Sequence, residues 1–92
     1  MKMIILLLLF SLVSIDSNET AYNKSTEFVA KQIKTVQSFP GYHDATVTVT
    51  SNIYVVDSSV ITDKGKKYYR CVLIKDGEEW KCHSVDIYSH PF

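Results

Sequence analysis

Glycine and cysteine are scarce in this chain, and each shortage removes a class of function. The three glycines are scattered and form no Gly-rich loop that could cradle a phosphate. The two cysteines, Cys71 and Cys82, are too few for a zinc cluster. Three histidines, His43, His83 and His90, lack the close i,i+4 spacing of a metal site, and no Ser/His/Asp arrangement accompanies them. Net charge is missing too: ten basic residues balance ten acidic ones, or nine against nine once Lys2 and Asp16 are set aside, so nothing points to nucleic acid. The basic cluster KGKK, residues 64–67, falls at a hairpin tip and reads as a solubilising feature. These absences predict a non-enzymatic chain that uses no cofactor and no metal.

What the chain does have begins at its N-terminus. MKMIILLLLFSLVSIDS places one Lys beside the start, an apolar run from Met3 to Phe10 continuing through Leu12 and Val13, and small residues after it. That is the layout of a cleaved secretory leader, and the run is shorter than the roughly 18 apolar residues of a membrane span. Cleavage after Ser14 or Ser17 would start the mature chain near Ile15 or Asn18. The expected organisation is a signal peptide over 1–17 and one domain over 18–92, extracellular, with no later membrane span. Two N-x-Ser/Thr acceptors, at Asn18 and Asn23, predict glycosylation on exposed backbone.

Export to an oxidising compartment bears on the cysteines of RCVLIKDGEEWKC, residues 70–82. Asp76-Gly77 lies midway between them and is a strong hairpin signal, because both residues tolerate positive φ. A four-residue loop, Lys75 to Glu78, would set Leu73 opposite Trp80 and Cys71 opposite Cys82 at a pair where side chains approach closely. A disulfide there would stabilise the fold by about 3 kcal/mol in the chain-entropy model. A domain of 75 residues (92 less 17) is near the size at which a core alone is marginal.

Between leader and hairpin, apolar residues Tyr22, Val29, Ile33 and Val36, with Phe28 beside them, recur at helical spacing. They predict an amphipathic helix over Thr20–Gln37, stopped by SFPG at 38–41. ATVTVT, NIYVVDSSVI, KKYYRCVLI and EWKCHSVDIY then read as strands. One helix followed by a meander predicts an α+β fold with the helix packed across one face of an antiparallel sheet. In the last hairpin Tyr68, Val72, Ile74, Val85 and Ile87 fall on one side, and Tyr69, Cys71, Leu73, Trp80 and Cys82 on the other. The aliphatic side is expected to meet the helix, leaving the Trp80 side as a partner-binding patch, unless the segment before residue 53 covers it.

The helix carrying STEFVAKQI, the meander, KGKKYYRCVLI and CHSVDIYSHP together resemble a secreted cystatin. Tyr68, Tyr69 and Val72 match that family's central strand, Gly65 its first-loop glycine, and Ile87, Tyr88 and Pro91 its later segment. The resemblance implies inhibition of papain-like cysteine proteases by occlusion of the active-site cleft. The first loop would be Ile61, Thr62, Asp63, Lys64 and Gly65, and the second-loop pair Pro91 and Phe92. Ile61 stands where the family has Gln, Asp63 where it has Val, and Phe92 where it has Trp. No glycine separates leader from helix. A second alignment places YVVDS, residues 54–58, at the motif. Two functions follow: a cystatin-like inhibitor, or a non-inhibitory secreted binding or effector protein on the same scaffold.

Overall fold

The computed structural model describes residues 17–91. The expected leader, up to Asp16, and Phe92 lie outside the described residues. Helix α1, Ser17–Gln32, is followed by β1, Val36–Ser38, a short 3-10 turn at Tyr42–Asp44, β2, Thr46–Thr50, β3, Ile53–Thr62, β4, Gly65–Asp76, and β5, Glu79–Tyr88. All strand pairs are antiparallel, in the order β1-β3-β4-β5. β2 shares the outer edge of β3 with β1: it pairs with Ile53–Asp57, while β1 reaches only Ile61 and Thr62. The fold is the expected α+β layout, one helix packed across a meander.

Alternation dictates which face the helix covers. Along β3, Tyr54, Val56 and Val60 are buried, and along β4 so are Tyr69, Cys71 and Leu73; all belong to one core with Ala21, Tyr22 and Val29 of α1. The Tyr69–Cys71–Leu73 side therefore meets the helix, contrary to the expectation that the aliphatic side would do so. The cause is a β-bulge. Val72 pairs with Ser84 but Leu73 pairs with Cys82, which leaves His83 as the extra residue in β5. A bulge shifts the parity of everything beyond it. Val85 and Ile87 thus join Trp80 in packing against the core, and Val72 and Ile74 remain on the uncovered face. Asp86, and not His83, stands opposite Arg70.

The hairpin at Asp76-Gly77 is also tighter than expected. Asp76 pairs with Glu79 across a two-residue turn at Gly77-Glu78, and Gly77 supplies the positive φ of 63°. Lys75, not Leu73, stands opposite Trp80. Cys71 faces Val85 and Cys82 faces Leu73. The cysteines are diagonal neighbours and both are free thiols, Cys71 buried and Cys82 exposed. Diagonal Cα atoms in a sheet lie about 7–8 Å apart, just past the reach of a relaxed disulfide at about 7 Å. The pair is near, but not at, bonding distance.

Helix α1 ends at Gln32, five residues before its expected end. Beyond it the backbone finds better partners elsewhere: the Asp63 N–H donates to the Thr35 carbonyl at 3.3 Å, and Val36 pairs with Thr62. Both sequon asparagines lie on α1, with Asn23 exposed. Ser25, the hydroxyl residue of the second sequon, is buried, so the unfolded chain is the state that presents this acceptor whole.

Candidate functional site

The β3–β4 hairpin tip is a built turn. Thr62 Oγ1 accepts the Lys64 N–H at 3.1 Å and donates to the Gly65 carbonyl at 2.9 Å. Gly65 has φ 106°, a conformation that side-chain-bearing residues avoid. Thr62 itself is buried, whereas Asp63, Lys64, Gly65 and Lys66 are exposed and Ile61 is half-buried. The contact between Asp63 and Thr35 holds the tip against the chain leaving α1.

Pro91 arrives at the same end of the sheet. Tyr68 pairs with Tyr88, so three residues back along β4 and three forward beyond β5 lead to Gly65 and Pro91 respectively. Lys67 Nζ donates to Ser89 Oγ at 3.4 Å and fastens the outgoing chain to β4. The two segments that the sequence nominates as loops, 61–65 and the C-terminal Pro91, are therefore brought together; Phe92 lies outside the described residues.

A hollow of about 620 Å³ opens beside them, walled by Pro40, Asp44, Asp57, Lys66, Tyr68 and Pro91. It lies where β3 lacks an outer neighbour, between Asp57, the last partner of β2, and Ile61, the first partner of β1. A second hollow, about 290 Å³, lies on the helix side of the tip against Gln32, Ile33, Lys64 and Ile87. The floor of the larger one is charged. Arg70 donates to Asp57 twice, Nε to Oδ1 at 2.7 Å and a terminal nitrogen to Oδ2 at 3.1 Å. The hydrogen bond and charge of Asp57 raise the Arg70 pKa further, so this guanidinium stays protonated throughout. Lys66 Nζ sits 5.5 Å from the centre of the Tyr68 ring.

The other sequence-nominated groups are dispersed. His43, His83 and His90 are all exposed and lie on the 3-10 turn, the β5 bulge and the C-terminal segment. Among the described residues no group of three or more His, Cys, Asp or Glu could hold a metal ion. Residues 54–58, the second alignment of the motif, form the interior of β3 rather than a loop. Trp80, expected in an open patch, is half-buried on the helix side with its ring 4.8 Å from that of Tyr54. Sequence reading missed the hollow. Its one trace was Pro40-Gly41, which reads as a helix stop but sits between the two short strands that leave β3 bare. Compared with protein-family models, curated proteins and solved structures, the chain matches none.

Proposed function

We propose that the chain is a secreted, non-catalytic binding protein on a cystatin-like scaffold, and that it meets a protein partner with the end of the sheet carrying Ile61–Gly65 and Pro91. The partner that the resemblance nominates is a papain-like cysteine protease, blocked by occlusion of its cleft. The observation that supports this reading is the approach of Pro91 to the foot of the 61–65 tip, where Pro91 and Lys66, the residue after that segment, share the wall of one hollow. The tip sets the character of the contact. With Asp63, Lys64 and Lys66 exposed, it offers charge and backbone groups rather than an apolar wedge, and burying those charges unpaired would cost several kcal/mol. The partner surface must therefore be polar and complementary.

Titration of papain with the secreted protein tests the protease reading. Inhibition should appear at or below about 10 µM, the range of ordinary specific protein contacts, and Gly65→Glu should weaken it. Absence of inhibition by a folded sample removes the protease and leaves the second reading, a non-inhibitory binder on the same scaffold. The tie from Asp63 to Thr35 favours that alternative, because it holds back the tip that a wedge would need to project.

A further inference from the structure

The sheet face opposite α1 has no covering layer among the described residues, and its composition is unlike that of a solvated face. An antiparallel sheet wet on one side normally alternates apolar-in with polar-out. Here the outward positions include Ile53 and Val55 on β3 and Val72 and Ile74 on β4, arranged as two adjacent cross-strand pairs, Ile53 with Ile74 and Val55 with Val72. Ile53 is 40% exposed. The next pair along the same two strands is Asp57 with Arg70.

We infer that this face is covered by a second copy of the chain, packed sheet to sheet about a two-fold axis that runs parallel to the strands between β3 and β4. Such an axis lays β3 of each copy over β4 of the other. Each Asp57 then meets the partner copy's Arg70 and each Arg70 its Asp57. Ile53 and Val55 meet Ile74 and Val72 in the same way. The threonines of β2, Thr46, Thr48 and Thr50, fall over the polar positions of β5, Lys81, Ser84 and Asp86. No position meets a like charge, which is the self-complementarity an isologous interface requires. Other placements of the axis lose it: centred on β4, it sets Asp57 over Asp86 and Arg70 over Arg70.

The area suits a weak dimer. The two central strands over roughly nine residues and the outer ones over the five of β2, at about 4.8 Å spacing and about 3.4 Å rise, give a projected face of about 450 Å² per copy, or about 900 Å² for both, the size of a weak, transient contact. Aligned packing of two twisted sheets at about −30° accommodates it. The axis keeps the hairpin tips of both copies at one end, and the hollow that Asp57 also walls lies at the margin of the contact. The inference does not depend on the proposed protease contact.

Analytical ultracentrifugation of the full mature protein tests it. A dimer should be present at roughly 100 µM, the upper range for a specific weak contact. Val72→Lys should raise the dissociation constant at least about tenfold, as for a central interface residue. Asp57→Arg and Arg70→Asp change a half-buried and an exposed residue, neither of which builds the core, so circular dichroism should show both folded. Each alone should be monomeric, since it sets like charges face to face, and an equimolar mixture should form a heterodimer. A monomeric wild type overturns the inference. So does a dimer that persists in all three variants, which would assign association to the β5 edge or to exchanged strands, or a mixture of the two charge variants that fails to associate.

Discussion

The hydroxyl of Tyr69 lies 3.0 Å from Oγ of Ser25, and Ser25 Oγ lies 2.6 Å from the Tyr22 carbonyl. A carbonyl only accepts, so Ser25 donates its one proton to Tyr22 and Tyr69 must donate to Ser25. This relay joins β4 to α1 inside the core, with Tyr69 and Ser25 fully buried. Burial holds the Tyr69 phenol well above its ordinary pKa, with the Ser25 bond opposing the shift only in part.

Direction makes the two deletions unequal. Tyr69→Phe removes the donor and leaves Ser25 still bonded to Tyr22, a loss of about 1 kcal/mol. Ser25→Ala removes the acceptor of a buried phenol, leaving it only the neighbouring Ser58 hydroxyl, and should cost about 2 kcal/mol. Urea denaturation of both variants measures the order. Equal costs, or the reverse order, would show that the relay does not run this way.

Cys71 and Cys82 should differ sharply in reactivity when reduced. Desolvation, then the charge of Cys82 and a hydrogen bond with it, push the Cys71 thiol up to about 12 from 9.0. At pH 8 almost none of it is thiolate, the reactive form, whereas Cys82 is exposed. Iodoacetamide should alkylate Cys82 at least about a hundredfold faster in the folded protein, read by peptide mass. The same shift has a stability consequence. Because the folded pKa is raised, the contribution is whole below pH 9 and is lost as pH climbs from about 9 towards about 12. Reduced protein should therefore weaken across that window, while protein carrying a Cys71–Cys82 disulfide should lack this component. Equal alkylation rates would place Cys71 outside the core.

Trp80 distinguishes the two faces of the hairpin. It packs on Tyr54, and Lys75 Nζ lies 5.4 Å from the centre of its ring. Removal of a half-buried ring from this cluster with Trp80→Ala should cost about 2 kcal/mol, below the 3–5 typical of a fully buried aromatic. An exposed patch residue would change stability by no more than about 0.5 kcal/mol. Thermal unfolding followed by circular dichroism decides, and a near-neutral result would return Trp80 to the surface.

Much of the architecture was legible because period-two alternation is a local property. ATVTVT, NIYVVDSSVI, KKYYRCVLI and EWKCHSVDIY all coincide with strands to within a few residues. Sidedness was harder to read. It depends on an unbroken count along β5, and the bulge at His83 breaks that count without any compositional mark, so Val85 and Ile87 share a side with Tyr69 and Cys71 and not, as expected, with Tyr68, Val72 and Ile74. The end of α1 was misread for a different reason. Val36 continues the helical spacing in sequence, but the partner that captures it, Thr62, lies 26 residues away (62 less 36). Both segments of the candidate site were found from motif resemblance, whereas the hollow beside them arises from an interruption between β1 and β2, a tertiary feature.

The bulge itself is open to a deletion test. At present Trp80 and Cys82 belong to the helix side, His83 is unpaired, and Val85 and Ile87 return to the helix side. Removing His83 leaves Trp80, Cys82, Val85 and Ile87 on that side with one residue between each successive pair, a regular ladder against Leu73 and Val72. Deletion of His83 should therefore be tolerated, changing stability by no more than about 1 kcal/mol, the scale of a typical single change. Deleting Asp86 instead turns Ile87 outwards and removes the partner of Arg70, which should cost about 2–3 kcal/mol through the lost burial of that side chain. Urea denaturation of the two deletions, which differ by three positions in β5, reads the difference. If the His83 deletion proves the more damaging of the two, the bulge is not the device that turns Val85 and Ile87 towards the helix.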